Sequence, residues 1–205
     1  MSRHAKGRER EEIVLKAAAE AIAELGYANV RVSDIAERAQ MTTGHVTYYF
    51  PSKNDLLLLA IQRSEEELVQ QSREELAGIE DPMERLRHLI GLAAASGFQD
   101  DGWLLWLQAW ANGLSDPTVS QKHRQLDQRW FEMLTEVVAY GRDLGVFHVA
   151  RVEDVCETIA AMIDGLSIQV AVGAGRVDRP RMLQLLETGA AALLGVGTRV
   201  ADPAG

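Results

Sequence analysis

The densest group of chemically capable side chains lies between residues 42 and 49: Thr42, Thr43, Gly44, His45, Val46, Thr47, Tyr48 and Tyr49. Hydroxyls, an imidazole and phenols can meet base edges, sugars and phosphates, and a glycine among them permits close backbone approach. The set has no catalytic logic. There is no nucleophile–base constellation, no His-Glu-x-x-His pair, no phosphate-binding Walker loop and no glycine-rich dinucleotide turn, and the five histidines (His4, His45, His88, His123, His148) are scattered. The sole cysteine, Cys156, excludes an internal disulfide and a multi-cysteine metal site. It reads as a small buried hydrophobe, with a redox sensor as the competing reading. No catalytic residue, metal ligand or cofactor is expected, and the chemistry on offer is binding.

Charge qualifies that reading. The 205 residues carry a net charge of −9, but unevenly. Residues 1–54 hold eight Lys/Arg against seven Asp/Glu, a balance of +1, and residues 55–205 hold thirteen against twenty-three, a balance of −10. Phosphate binding needs a locally basic surface rather than a basic protein. Scatter of surface charge explains the asymmetry equally well. Apolar residues at 47% support a buried core. No stretch reaches the ~20 apolar residues of a membrane span, and the charged start MSRHAKGREREE lacks a secretory segment. A cytoplasmic protein is expected.

The elements that must position residues 42–49 are helices. A first helix is expected from about Glu9 to Leu25, with Ile13, Ala17, Ala18, Ala21, Ile22 and Leu25 as one stripe and Gly26 in the left-handed position past its end. Short helices follow over about Ser33–Ala39 and Thr43–Tyr49. That is the outline of a helix-turn-helix. Ile35, Ala36, Met41, Val46 and Phe50 would form its inner side, and one of Tyr48 and Tyr49 has the alternative of packing on the first helix. Pro51 breaks the chain, and Ser52 to Asp55 opens a long helix toward Leu76. Further helices are expected from Asp81-Pro82, over Gly102–Leu114, from Asp116-Pro117 to Leu144, over Glu153–Val172 and over Pro180–Leu194. The fold class is therefore all-α, about nine helices. The expected division is 1–54, an N-terminal arm and helix-turn-helix domain; 55–198, a ligand-binding and dimerisation domain; and 199–205, a flexible tail.

From the first helix through DIAERA…TTGHVTYYFPSKNDLL, with its Tyr-Phe, Pro-Ser-Lys and Asp-Leu-Leu pattern, the sequence resembles the TetR family of repressors. The Trp-rich LLWLQAWANGLSDP and the Met162 to Leu166 run resemble, more weakly, its choline-responsive, BetI-like branch. The resemblance implies base-edge contacts from Thr43, Gly44 and His45, and phosphate or sugar contacts from Thr42, Thr47, Tyr48 and Tyr49. Lys53 would clamp the backbone as a point charge at a helix N-terminus. Three positions depart from the family pattern. Arg31 replaces a capping threonine and could reach phosphate itself, Gln40 replaces the turn glycine, and Tyr49 replaces a common histidine. The basic arm Arg3, His4, Lys6, Arg8 and Arg10 is either a solvated tail or a minor-groove arm.

In the larger half, Trp103, Trp106 and Trp110 fall at i, i+3 and i+7, on one helix face, with Trp130 and Phe131 on the next long helix. They either fill the core or line an apolar-aromatic site, including a cage for a cation. The last two helices present Val155, Ile159, Met162, Leu166, Leu183, Leu186, Ala190 and Leu193, which the resemblance places in a homodimer interface. The expected function is a ligand-responsive repressor that binds a palindromic operator in double-stranded DNA as a dimer and is released by a small-molecule effector. A helical sensor or adaptor without DNA binding, and an activator of the same fold, remain the other readings.

Overall fold

The computed structural model describes residues 3–26, 29–100, 102–104, 106–107, 110 and 117–196. Among these, eight continuous helices and no strand occur: α1 (Arg3–Leu25), α2 (Val32–Arg38), α3 (Thr43–Tyr49), α4 (Lys53–Ala77), α5 (Pro82–Ala93), α6 (Pro117–Asp143), α7 (Val152–Ala171) and α8 (Arg179–Leu193). Residues 102–104, 106, 107 and 110 are also helical, within the expected Trp-rich helix. The expected tail lies outside the described residues. No helix among the described residues is long and apolar enough to cross a membrane. The chain separates into two compact units, Met1–Leu68 and Val69–Gly205.

In the first unit, α1 starts six residues earlier than expected, since nothing in Arg3 to Arg8 except Gly7 opposes a helix. Its inward stripe is Val14, Ala17, Ala18, Ala21 and Ile22, not Ile13, which is 43% exposed. The spacing of positions 14, 17, 18 and 21 centres the buried face one residue later. These side chains close on Ile35, Ala36, Val46, Leu56, Leu57 and Ala60. Gly26 ends α1 at φ +76, with its N–H on the Ile22 carbonyl. The α2–α3 turn contains Gln40 at φ +54, so a side chain occupies the left-handed conformation that glycine would hold without steric cost.

In the second unit, α5 to α8 enclose a core that includes Leu86, Leu89, Met133, Val138, Ile159, Met182 and Leu186. Each such aliphatic side chain contributes roughly 1.5–3 kcal/mol by leaving water. Asp81 caps α5 through the Glu84 N–H, and Asp178 caps α8 through that of Arg181. Phe147 turns back into the core after α6. A Cβ on Gly141 would sit 2.2 Å from its ring, so the ring needs glycine there. Burial pushes the Cys156 thiol up to about 11, which leaves no reactive thiolate near neutral pH.

Asp164 on α7 is a second perturbed group. Burial, and then the charge of Asp127 on α6, raise its carboxyl to about 6. A carboxyl raised on folding lowers stability once it ionises, so its cost is present above pH 6 and fades as pH falls toward the ordinary carboxylate value. Asp164→Asn is expected to raise the melting temperature at pH 8, with the gain shrinking below pH 6 and absent near pH 4. A pH-independent gain would contradict the assignment. Gln40→Gly is expected to stabilise the protein by about 1 kcal/mol, read as a higher urea midpoint at unchanged slope.

Candidate nucleic-acid interface

α3 is seven residues long and is held by one fully buried side chain, Val46, with Met41 and Phe50 half-buried at its two ends. With Val46 pointing inward, Thr43, Gly44, His45, Thr47 and Tyr48 are exposed together, Tyr48 at 78%. Tyr49 is half-buried and stands edge-on to Tyr48, ring centroids 5.3 Å apart. Tyr49 is thus the less exposed of the two tyrosines, and its ring meets that of Tyr48. Thr42 caps the helix, its Oγ1 accepting the His45 N–H at 3.2 Å. The same oxygen lies 3.4 Å from His45 Nδ1. When the Thr42 hydroxyl donates to Nδ1, the ring proton sits on Nε2, the outward edge. Thr47 Oγ1 donates back to the carbonyls of Thr43 (3.0 Å) and Gly44 (3.2 Å).

Two flanking cations belong to the same unit. Lys53 is the first residue of α4, which Ser52 opens by accepting the Asp55 N–H. Arg31 precedes α2, is exposed, and has its backbone N–H on the Asp34 carboxylate at 2.8 Å. An acid three residues into the helix therefore satisfies the α2 entry, and the long Arg31 side chain has no part in capping. Sequence reasoning missed Asp34, although an acid at that position is the usual sign of such a box. Arg38, by contrast, is paired with Glu24.

In the second unit, Trp103, Trp106, Trp110, Trp130 and Phe131 are all half-buried. Trp103 and Trp110 meet edge to face, centroids 6.5 Å apart and planes at 77°. Trp103, Trp130 and Phe131 pack against the same core. Trp103 Nε1 donates to the Ala93 carbonyl at 3.2 Å, so this indole offers a ligand its ring face rather than its N–H. A separate cleft of about 480 Å³, lined by Ile79, Glu84, Arg87, His88, Gly91 and Leu92, contains no tryptophan. Its polar side chains are engaged: His88 with Glu75, and Arg87 with Glu84 and Glu187.

The expected interface residues divide. Ile159 and Leu186 at 1% exposure and Ala190 at 0% belong to the chain's own core and have no surface left for a partner. Helical patterning cannot separate an inward apolar face from an interface, and here the inward one takes these three. Val155, Met162, Leu166 and Leu183 are half-buried at the core margin, and Leu193 is 37% exposed. Met162 bends over Gly189, where a Cβ would meet its terminal methyl at 2.3 Å.

Comparison with known proteins agrees with this geometry. Residues 14–60 match the family described as bacterial regulatory proteins, TetR family, and residues 82–195 match the BetI-type transcriptional repressor C-terminal family. The HTH-type transcriptional regulator BetI of Stenotrophomonas maltophilia is 30% identical over 171 residues, covering 82% of this chain and 85% of its own. That of Burkholderia cenocepacia is 26% identical over 178 residues, covering 84% and 87%. A transcriptional regulator from Saccharomonospora viridis, solved in complex with choline, superimposes with a TM-score of 0.71 at 30% identity, covering 92% of this chain and 96% of that one. A helix-turn-helix whose polar face is turned out by one buried valine, followed by a matching C-terminal half, places this chain in the TetR family of transcriptional regulators, with a BetI-type C-terminal domain.

Proposed function

We propose that the protein represses transcription as a two-fold dimer, gripping a palindromic operator with paired α3 helices and leaving it when a small organic cation binds among its tryptophans. The observation that carries the DNA reading is the outward face of α3. Thr43, Gly44 and His45 are exposed where a major groove could be read, and Tyr48 and Lys53 suit the backbone on either side. One such reader touches too few base pairs for tight, specific binding. Two, in successive major grooves, require recognition helices about 34–36 Å apart. The dimer surface is drawn from the outer sides of α7 and α8, where Ala161, Gly165, Gln184, Thr188 and Ala192 are exposed and mostly small. Val155, Met162, Leu166, Leu183 and Leu193 would border it.

The effector reading rests on Trp103 and Trp110. Two perpendicular indoles, one with its N–H already satisfied, recognise a ligand through π faces and apolar contact, which favours a compact cation over a ligand seeking hydrogen bonds. The choline bound by the Saccharomonospora regulator supports the same class. Such a ligand releases DNA only through its different affinities for the two states, typically about 1–3 kcal/mol of coupling.

Tyr48→Phe and Lys53→Ala are expected to weaken binding to operator and random duplexes alike, because they touch the backbone. A Thr43→Ala variant should instead change which sequence is preferred. Equal losses from all three in a competition assay would count against the assignment, and a dimer that ignores every duplex at low salt would favour a sensor without DNA binding. For the effector, choline and tetramethylammonium are expected to quench tryptophan emission, whereas 3,3-dimethylbutanol, the neutral analogue of similar shape, should bind at least about tenfold more weakly, the scale of one desolvated cation–π contact. Equal binding of the charged and neutral ligands would remove the cation reading.

A further inference from the structure

The segment between α5 and the Trp-bearing helix is tied down more thoroughly than a connection requires. The Ala95 N–H donates to Ser167 Oγ on α7 at 3.1 Å, and Ser167 is wholly buried. The Gln99 N–H donates to the Ala171 carbonyl at 2.9 Å. The Phe98 ring lies on Gly173, where a Cβ would come within 2.7 Å of it. Gln99 itself is held at φ +57, a conformation that glycine would take without strain. The segment is thus a strap fastened along the C-terminal end of α7.

At the end of this strap stands Asp100. Its Oδ2 accepts the Ser96 N–H at 2.7 Å and the Ser96 hydroxyl at 2.6 Å, and its Oδ1 accepts the Trp103 N–H at 2.9 Å. Gly102 leaves room for the carboxylate, since a Cβ there would lie 3.2 Å from Oδ1. Burial alone would raise this carboxyl. The hydrogen bonds from Ser96, Trp103 and Gly102 outweigh it and hold the group below the usual carboxylate range. A helix cap needs one acceptor for one N–H. Asp100 does that and also reaches back along the strap, so Trp103 is fixed at both ends: its backbone N–H on Asp100 and its ring N–H on the Ala93 carbonyl.

We infer that Asp100 is the positioning residue of the effector site, joining the strap to Trp103 so that the indole meets its ligand at a set angle. The inference rests on the tryptophan-site reading. Both Asp100 oxygens already accept hydrogen bonds from the chain itself. Asp100 acts on binding only through the ring it orients.

The test is fluorine NMR of the full-length protein labelled with 5-fluorotryptophan, with the Trp103 signal assigned by Trp103→Phe. In Asp100→Asn an amide NH2 replaces an accepting oxygen. The Trp103 resonance is expected to move while those of Trp106, Trp110 and Trp130 shift much less, and the choline dissociation constant should rise up to roughly tenfold, the scale of one misplaced cation–π contact. Ser96→Ala, which removes a single hydroxyl, should move the same resonance by a smaller amount, and it decides the matter if Asp100→Asn fails to fold. An unmoved Trp103 resonance in a folded variant overturns the inference. A folded Asp100→Asn in which the Trp103 resonance moves while the choline dissociation constant stays unchanged also overturns the inference, and choline that perturbs no resonance in the wild-type protein overturns the cation reading instead, taking the inference with it.

Discussion

The helix proposed to read DNA is too short to exist by itself. Seven residues make fewer than two turns, and isolated helices below about 12–15 residues are marginal in water. What holds α3 in being is docking, and docking runs through Val46, fully buried against the cluster of α1, α2 and the start of α4. The same contact decides orientation. With Val46 buried and Met41 and Phe50 packed at its two ends, the helix has one way to sit, and Thr43, Gly44, His45, Thr47 and Tyr48 turn outward together. On the proposed reading, the face offered to DNA is set by a hydrophobic contact on the opposite side of the helix.

Much of this was legible in the sequence, for a physical reason. Helix ends carry local chemistry: Asp81 before Pro82, Ser52 before Asp55, and glycines at 26 and 145 each sit where their side chain or its absence satisfies a terminal group. Faces are harder. Ile13 and Val14 are adjacent and equally apolar, and only the packing of α1 against its neighbours chose Val14. At α7 and α8 the pattern of apolar residues was correct but its meaning was open, because an inward face and a partner face look alike along a helix. Ile159, Leu186 and Ala190 went to the core. Contacts between residues far apart in sequence left no signal. The guanidinium of Arg85 bonds the Ile79 carbonyl at 2.8 Å and lies 3.7 Å from the centroid of the Tyr140 ring, whose hydroxyl donates to the Glu80 carbonyl at 3.0 Å, fastening the corner between α4 and α5 onto α6. None of this is visible in residues 79–85 read alone.

The two units use polar groups differently. Around α3 the hydroxyls and the imidazole remain at the surface, available to a partner. In the second unit the polar side chains near the core are mostly occupied internally: Ser167 receives Ala95, Asp100 receives Ser96 and Trp103, and the Trp103 ring nitrogen is on Ala93. Such satisfaction is what lets polar atoms sit beside an apolar core without a desolvation penalty.

The bond that Thr47 makes within its own helix has a consequence on the DNA side. With its only proton directed at the carbonyls of Thr43 and Gly44, the hydroxyl turns lone pairs outward. A phosphate oxygen, which carries only lone pairs, would have to win the Thr47 proton from those two carbonyls by rotation of the hydroxyl. An exocyclic amine of adenine or cytosine, which brings its own hydrogen, suits the oxygen as it stands. The internal bond of Thr47 thus sets which partner groups its oxygen meets at lowest cost.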